Sequence, residues 1–249
     1  MRGWIGTGAL AAALALAGCD RQPQQQADAP APAVVDPVAA MKALDPATQL
    51  ARAVAVVFPD ERSRAVRIAD QSYVLTPARL VWSGDRPILV SGGQGDDCHA
   101  CAGTLVVHYL KVADDSFTVE RAFPAAAAGT SFGGAPDWQL RDDIASVPVV
   151  EARRGGTFQG FTCSRAQLVA LTDGGPVTIA DDLPIGYSDA GAVTDGKAEE
   201  VEGTIVAGAR DHDFAIRYSG GVTGTTRYEK AADGAAYTIS GKPAAIPAC

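Results

Sequence analysis

From Tyr73 onward the chain is written in short apolar runs, each cut by Gly or Asp. "ARLVWSGDRPILVSG" reads as two strands joined at Ser83-Gly84-Asp85, and "TLVVHYLKVADDSFTVERAF" as a second pair turning at Asp114-Asp115. "VPVVEARRGGTFQGFTCSRAQLVALTDGGPVTIADD" continues the habit, with turns expected at Gly155-Gly156 and at Asp173-Gly174-Gly175. Further turns are expected at Asp211, Gly220-Gly221 and Asp233-Gly234. No helical periodicity separates these runs, whereas parallel strands need a long crossover, so the pattern predicts antiparallel hairpins. About ten such strands with little helix give a mainly β fold: a sandwich, a barrel or a curved open sheet, a propeller-like sheet remaining open. Asparagine is absent, so turns that require positive φ fall to Asp and to the 27 glycines.

Helical signals precede the strands. Asp45 fits an N-cap and Pro46 a first helical position, after which Ala47, Leu50, Ala51 and Val54 recur at helical spacing until Pro59. A second short helix is expected around Glu61–Ile68. "FPAAAAGTSFGGAPDWQLRDD", Phe123 to Asp143, reads as a long loop between hairpins, where binding residues tend to gather. Trp138 is its candidate contact residue, with Trp82 and Tyr187 as further candidates to line a groove. Phe117, Tyr109 and Phe214 fit core positions.

The N-terminus has the form of a secretory signal: Arg2, then an apolar core from Trp4 to Ala17 that is shorter than the roughly 18 to 20 residues of a spanning helix. "LAGCD", Leu16 to Asp20, resembles the lipobox of bacterial lipoproteins. The resemblance implies cleavage before Cys19, lipidation of that cysteine, and a durable anchor on the periplasmic side of the envelope, since several acyl chains hold where one does not. Asp20 slightly favours the inner over the outer membrane. The expected organisation is then a signal peptide over 1–18, a lipidated cysteine and disordered tether over 19–37, and one β-rich domain with an N-terminal helix over 38–249. The tether, rich in Gln, Pro, Ala and Asp, has too few large apolar residues to fold, and as a coil it reaches ~25 Å.

Removing the signal takes one arginine from the 21 basic residues, leaving 20 against 29 acidic, a net charge of −9. An acidic chain without basic clusters excludes nucleic acid and anionic lipid as natural partners. The expected partners are the membrane, through the anchor, and an envelope protein or small ligand. No cofactor is implied.

Four cysteines remain in the mature chain: Cys98, Cys101, Cys163 and Cys249. An oxidising compartment makes two disulfides of them, with three connectivities open, of which Cys98–Cys101 with Cys163–Cys249 is the expected one. "CHAC" lacks the histidine after the second cysteine that haem attachment needs. A thioredoxin-type site needs its first cysteine at a helix N-terminus, but "AGTLVVHYL" continues as a strand, and Asp96-Asp97 oppose a thiolate. A metal site at Cys98, His99 and Cys101 would need reduced thiols plus further ligands such as Cys163, His108 or His212. The expected role is a structural staple, and thiol–disulfide or metal handling is the alternative.

"GTSFG", Gly129 to Gly133, matches a nucleophile-elbow pattern at Ser131, with Asp181 and His212 as conceivable partners, but no flanking strand and helix are expected. The acidic pairs Asp96-Asp97, Asp114-Asp115, Asp142-Asp143 and Asp181-Asp182 sit near predicted turns. No calcium loop spacing occurs, and neither a catalytic set nor a resident metal is assigned. "CHAC", "GTLVVHYL" and "FGGAPDW" together are similar to segments of uncharacterised secreted bacterial proteins, a resemblance that implies no activity. The expectation is a tethered periplasmic lipoprotein that acts by binding, or as an accessory to an envelope system, and not as an enzyme.

Overall fold

Two prolines start two helices. Asp36 caps α1 (Pro37–Lys42) by accepting from the Val38 amide at 3.0 Å, and Asp45 caps α2 (Pro46–Val57) by accepting from Thr48 at 3.0 Å. Pro at the first helical position loses nothing, because its missing N–H has no intrahelical partner there. The computed structural model describes residues 36–232 and 234–248. The expected signal peptide, the lipidated Cys19, most of the tether and Cys249 lie outside the described residues. Among the described residues, α1 starts at Pro37.

The helix expected around Glu61–Ile68 is instead a single 3₁₀ turn, Arg62–Arg64, followed by β1 (Ala65–Ile68). Its β-branched Val66 and Ile68 gain more by pairing with β2 (Gln71–Ser83) than by helix formation. β3 (Arg86–Gln94), β4 (Thr104–Ala113) and β5 (Ser116–Ala128) complete a five-stranded antiparallel meander in chain order. One face packs on the helices, through Met41, Ala53 and Phe58 against Leu75, Leu89, Val106, Leu110 and Phe117. Gln49, buried at that seam, donates to the Leu44 carbonyl at 2.6 Å and accepts from the Trp82 indole at 2.8 Å. Burial on both faces explains the nearly unbroken apolar runs "PILV" and "TLVVHYL", where a half-buried sheet would alternate.

The opposite face, with Ile88, Val90, Leu105, Val107 and Tyr109, packs on Val150, Ala152, Val169 and Leu171 of a second sheet. That sheet is eight-stranded and antiparallel: β6 (Asp137–Arg141), β7 (Val149–Phe158), β8 (Phe161–Thr172), β9 (Gly175–Ser188), β10 (Glu200–Ala207), β11 (Asp213–Gly220), β12 (Gly224–Lys230) and β13 (Tyr237–Ser240). β9 carries extra residues opposite β8, shifting register near Ser164, Ala166 and Leu168, and it pairs with β10 only at Gly186–Ser188. Bulges bend and twist the strand that carries them. The sheet therefore curls into a half-barrel around Leu168, Leu183, Ile185, Ile205, Phe214 and Ile216. Tyr218 crosses this core over Gly203 and donates to the Pro184 carbonyl at 3.0 Å.

The fold is mainly β, as expected, with two stacked sheets of which one curls. Two further local readings change. Gly155 and Gly156 lie inside β7, and the β7–β8 turn falls at Gln159-Gly160, both at positive φ (49° and 86°). The long loop shrinks to 129–136, because β5 runs on through Ala128 and β6 begins at Asp137. Among the described residues no helix is long and apolar enough to cross a membrane.

Candidate functional site

The loop that carries "CHAC" and the loop that carries "GTSFG" lie against each other at one end of the sheets. Residues 95–103 join β3 to β4, and residues 129–136 join β5 to β6. Their backbones are laced together: Gly95 N donates to Gly133 O at 2.8 Å, Gly133 N to Cys101 O at 2.9 Å, and Gly129 N to Gly103 O at 2.8 Å. A Cβ at Gly103, Gly129 or Gly133 would collide with the facing backbone, so only glycine permits this approach. Thr130 N closes its own loop on Gly134 O at 2.8 Å, and Ser131 N reaches Gly155 O of β7 at 3.5 Å.

Cys98 and Cys101 form a disulfide within the first loop, as expected. The motif sits in a turn, not at a helix N-terminus, with Cys98 and His99 exposed and Cys101 half-buried. Cys163 on β8 is also disulfide-bonded. The expected bridge to Cys249 lies outside the described residues. His99 meets Phe132 edge to face at 5.2 Å between ring centroids, with Phe158 at 6.4 Å on its other side. Phe132, Phe158 and Phe161 are 52 %, 63 % and 37 % exposed, a cluster of apolar rings that folding alone does not call for.

Phe132, alone of these three rings, also lines a groove of two adjoining hollows, about 560 and 400 Å³, which share Thr162, Ser164, Ile185 and Glu202. Ser131 and Phe132 form one wall, and the β10–β11 end, with Ser219 and Gly220, forms the other. Six strands contribute, β6 to β11, so the groove follows the rim of the half-barrel, where β-barrels commonly hold ligands. Serine, threonine and tyrosine hydroxyls recur in the lining, and glycines at 155, 156 and 186 leave backbone open where side chains would fill the space.

Two arginines in the groove are already committed. Arg153 donates to the fully buried carboxylate of Glu151 at 2.7 Å, and Arg141 donates to the other oxygen of the same group at 2.6 Å. Arg141 also forks onto Asp143 at 2.9 and 3.0 Å, which holds the Asp143 carboxyl below its ordinary value. Arg154 pairs with Asp181 and Asp182 on the bulged stretch of β9, at 3.2 and 3.3 Å. The exposed carboxylates of Asp137, Glu200 and Glu202 line the same groove. Cation charge is thus balanced from within, and the groove is not built to attract a strongly anionic ligand.

The remaining sequence candidates are scattered. Trp138 sits on the edge strand β6, half-buried against the inter-sheet core, and does not line the groove. Trp82 packs under the helices, whereas Tyr187 does line the groove. Ser131 is in the groove wall, but its loop leads into β6 and not into a helix, and it shares no cavity with Asp181 or His212. His212 is exposed at the β10–β11 turn beside Asp213, at 3.5 Å. His108 lies under α2, edge to face with Phe58 at 5.6 Å, and burial pushes its pKa down. Among the described residues, no three His, Cys, Asp or Glu side chains gather where they could hold a metal ion.

The groove itself escaped sequence reasoning. Thr162, Ser164, Gly186 and Glu202 form no motif and meet only through strand register, Ser164 facing Gly186 and Gly186 facing Glu202. No family model, no curated protein and no solved structure matches the chain.

Proposed function

We propose that this protein is an envelope-tethered lipoprotein, anchored through Cys19, that acts by binding rather than by catalysis, and that its ligand lies in the groove along the half-barrel rim. The observation that carries this reading is an open groove, lined by serine, threonine and tyrosine hydroxyls on neighbouring strands, with the exposed Phe132 ring in its wall. Such a surface suits a neutral, polyhydroxylated chain. Serine and threonine hydroxyls donate to and accept from sugar hydroxyls, carboxylates accept from them, and ring faces cover apolar sugar faces. The internally paired arginines disfavour phosphorylated or polyanionic ligands. A groove of this volume holds two or more sugar units and stays open to a longer chain.

Titration calorimetry with soluble β-1,4-linked oligosaccharides of four to six units tests this. The wild-type domain should bind, and Phe132→Ala and Glu202→Ala should each weaken binding about tenfold, a loss of about 1.4 kcal/mol. Binding of an extended polar peptide in the same groove, with no response to saccharides, would replace the ligand class. No binding of either would remove the reading.

A second reading, thiol–disulfide exchange at Cys98 and Cys101, draws on the exposure of Cys98. Against it stands the turn geometry, which provides no helix dipole to stabilise an attacking thiolate.

A further inference from the structure

The four-residue ring closed by Cys98–Cys101 supplies two of the contacts that hold the groove's outer wall. Its Cys101 carbonyl accepts from the amide of Gly133, and its His99 ring packs against Phe132 at 5.2 Å. Gln94, next to the ring, adds a bond to the Phe132 carbonyl at 3.3 Å. Ser131 and Phe132 then form the groove wall. Gly133 is buried, so its amide depends on the Cys101 carbonyl and not on water.

We infer that the Cys98–Cys101 disulfide is a redox-sensitive clasp for the groove: oxidised, it fixes the 129–134 wall in place; reduced, it releases that wall and weakens ligand binding. The inference rests on the groove reading for its consequence, but not for its mechanical part. Cys98 is the exposed cysteine and therefore the point of attack. A thiolate of a dithiol reductant bonds to the Cys98 sulfur, and the S–S bond to Cys101 breaks. Cys101 leaves as a thiolate and takes a proton from water. The second thiol of the reductant displaces the Cys98 sulfur, which leaves as a thiolate and is protonated in turn. The bridge has gained two electrons and two protons, and the reductant has become a disulfide. The ring then loses its closure, and the Cys101 carbonyl and His99 ring become parts of an open loop, residues 95–103.

Hydrogen exchange on the whole mature domain reads this directly, comparing the wild type with a Cys98→Ser/Cys101→Ser variant. The amides of Gly129, Thr130 and Gly133 should exchange at least about tenfold faster in the variant, while those of β7 and β8 stay unchanged. Equal protection at Gly133 in both proteins overturns the clasp, whatever the domain binds. Should the variant lose protection throughout β3 and β4, the wild type is equilibrated in buffers of graded redox potential and its thiols are trapped. Protection at Gly133 should then titrate with Cys98, ahead of the bridge at Cys163. Titration with Cys163 overturns the clasp. If the clasp holds by exchange but oxidised and reduced forms bind no oligosaccharide, the groove's ligand class fails and the clasp stands.

Discussion

Glu151 has no exposed surface, yet its carboxylate accepts from Arg153 at 2.7 Å while its other oxygen accepts from Arg141 at 2.6 Å. A single buried acid thus ties the inter-strand seam of β6 and β7 to an arginine in the groove. Its place follows from register. Val149 on the same face of β7 enters the half-barrel core, so an alternating strand must carry residue 151 inward as well.

Replacing Glu151 by Ala takes a partner from two guanidinium groups, one of them only 12 % exposed. Breaking a buried ion pair from one side costs about 3 to 5 kcal/mol. Denaturant unfolding should show a loss of that size for Glu151→Ala. A loss below about 1 kcal/mol, the range of surface pairs, would show that the network is solvated and not structural.

Gly203 is occupied by its neighbour. A Cβ there would stand 2.9 Å from the Tyr218 ring and 3.0 Å from both Ile185 and Ile216. Gly203→Ala should therefore destabilise by about 1 to 3 kcal/mol, the usual cost of overpacking. Truncating the ring relieves the clash, so Gly203→Ala with Tyr218→Ala should cost less than the sum of the single changes in a double-mutant cycle. Strict additivity would show that the ring does not lie where the glycine admits it.

Burial holds the His108 imidazole below its ordinary value of 6.5. As pH falls, the unfolded chain takes up this proton before the folded one does, so the folded state loses stability. The neutral ring's contribution is complete above 6.5 and declines below it, down to the lowered folded value. For one group the limiting slope is about 1.4 kcal/mol per pH unit. His108→Leu should flatten the stability profile of the wild type just below that value. Asp143, held low by Arg141, acts the opposite way in residue type but not in sign, and only at more acidic pH, where protonation releases its pair. An unchanged slope in His108→Leu would refute the assignment.

Hairpins declared themselves in the sequence because their turns are local chemistry. Strands end and restart at Ser83 and Arg86, as the Gly84 turn requires, and Asp114 adopts the positive φ expected of a turn aspartate. Asp45 and Pro46 announced α2 for the same reason. Gly155 and Gly156 misled because a glycine pair signals a turn more often than a strand that a ligand or neighbouring backbone approaches closely. "PAAAA" within β5 carries no strand propensity at all, and only pairing with β4 holds it extended. The groove was least legible. It depends on β9 carrying bulges opposite β8, a property of register that no stretch of sequence states alone.

Chemical-shift mapping tests the central claim most directly. The ¹⁵N-labelled domain over residues 36–249, with its disulfides intact, is titrated with a soluble β-1,4-linked hexasaccharide. Saturable shifts should concentrate at Ser131, Phe132, Thr162, Ser164, Gly186 and Glu202, leaving the helix-covered face around Met41 and Phe58 still. Saturable shifts on that face, or none along the groove, would contradict the account.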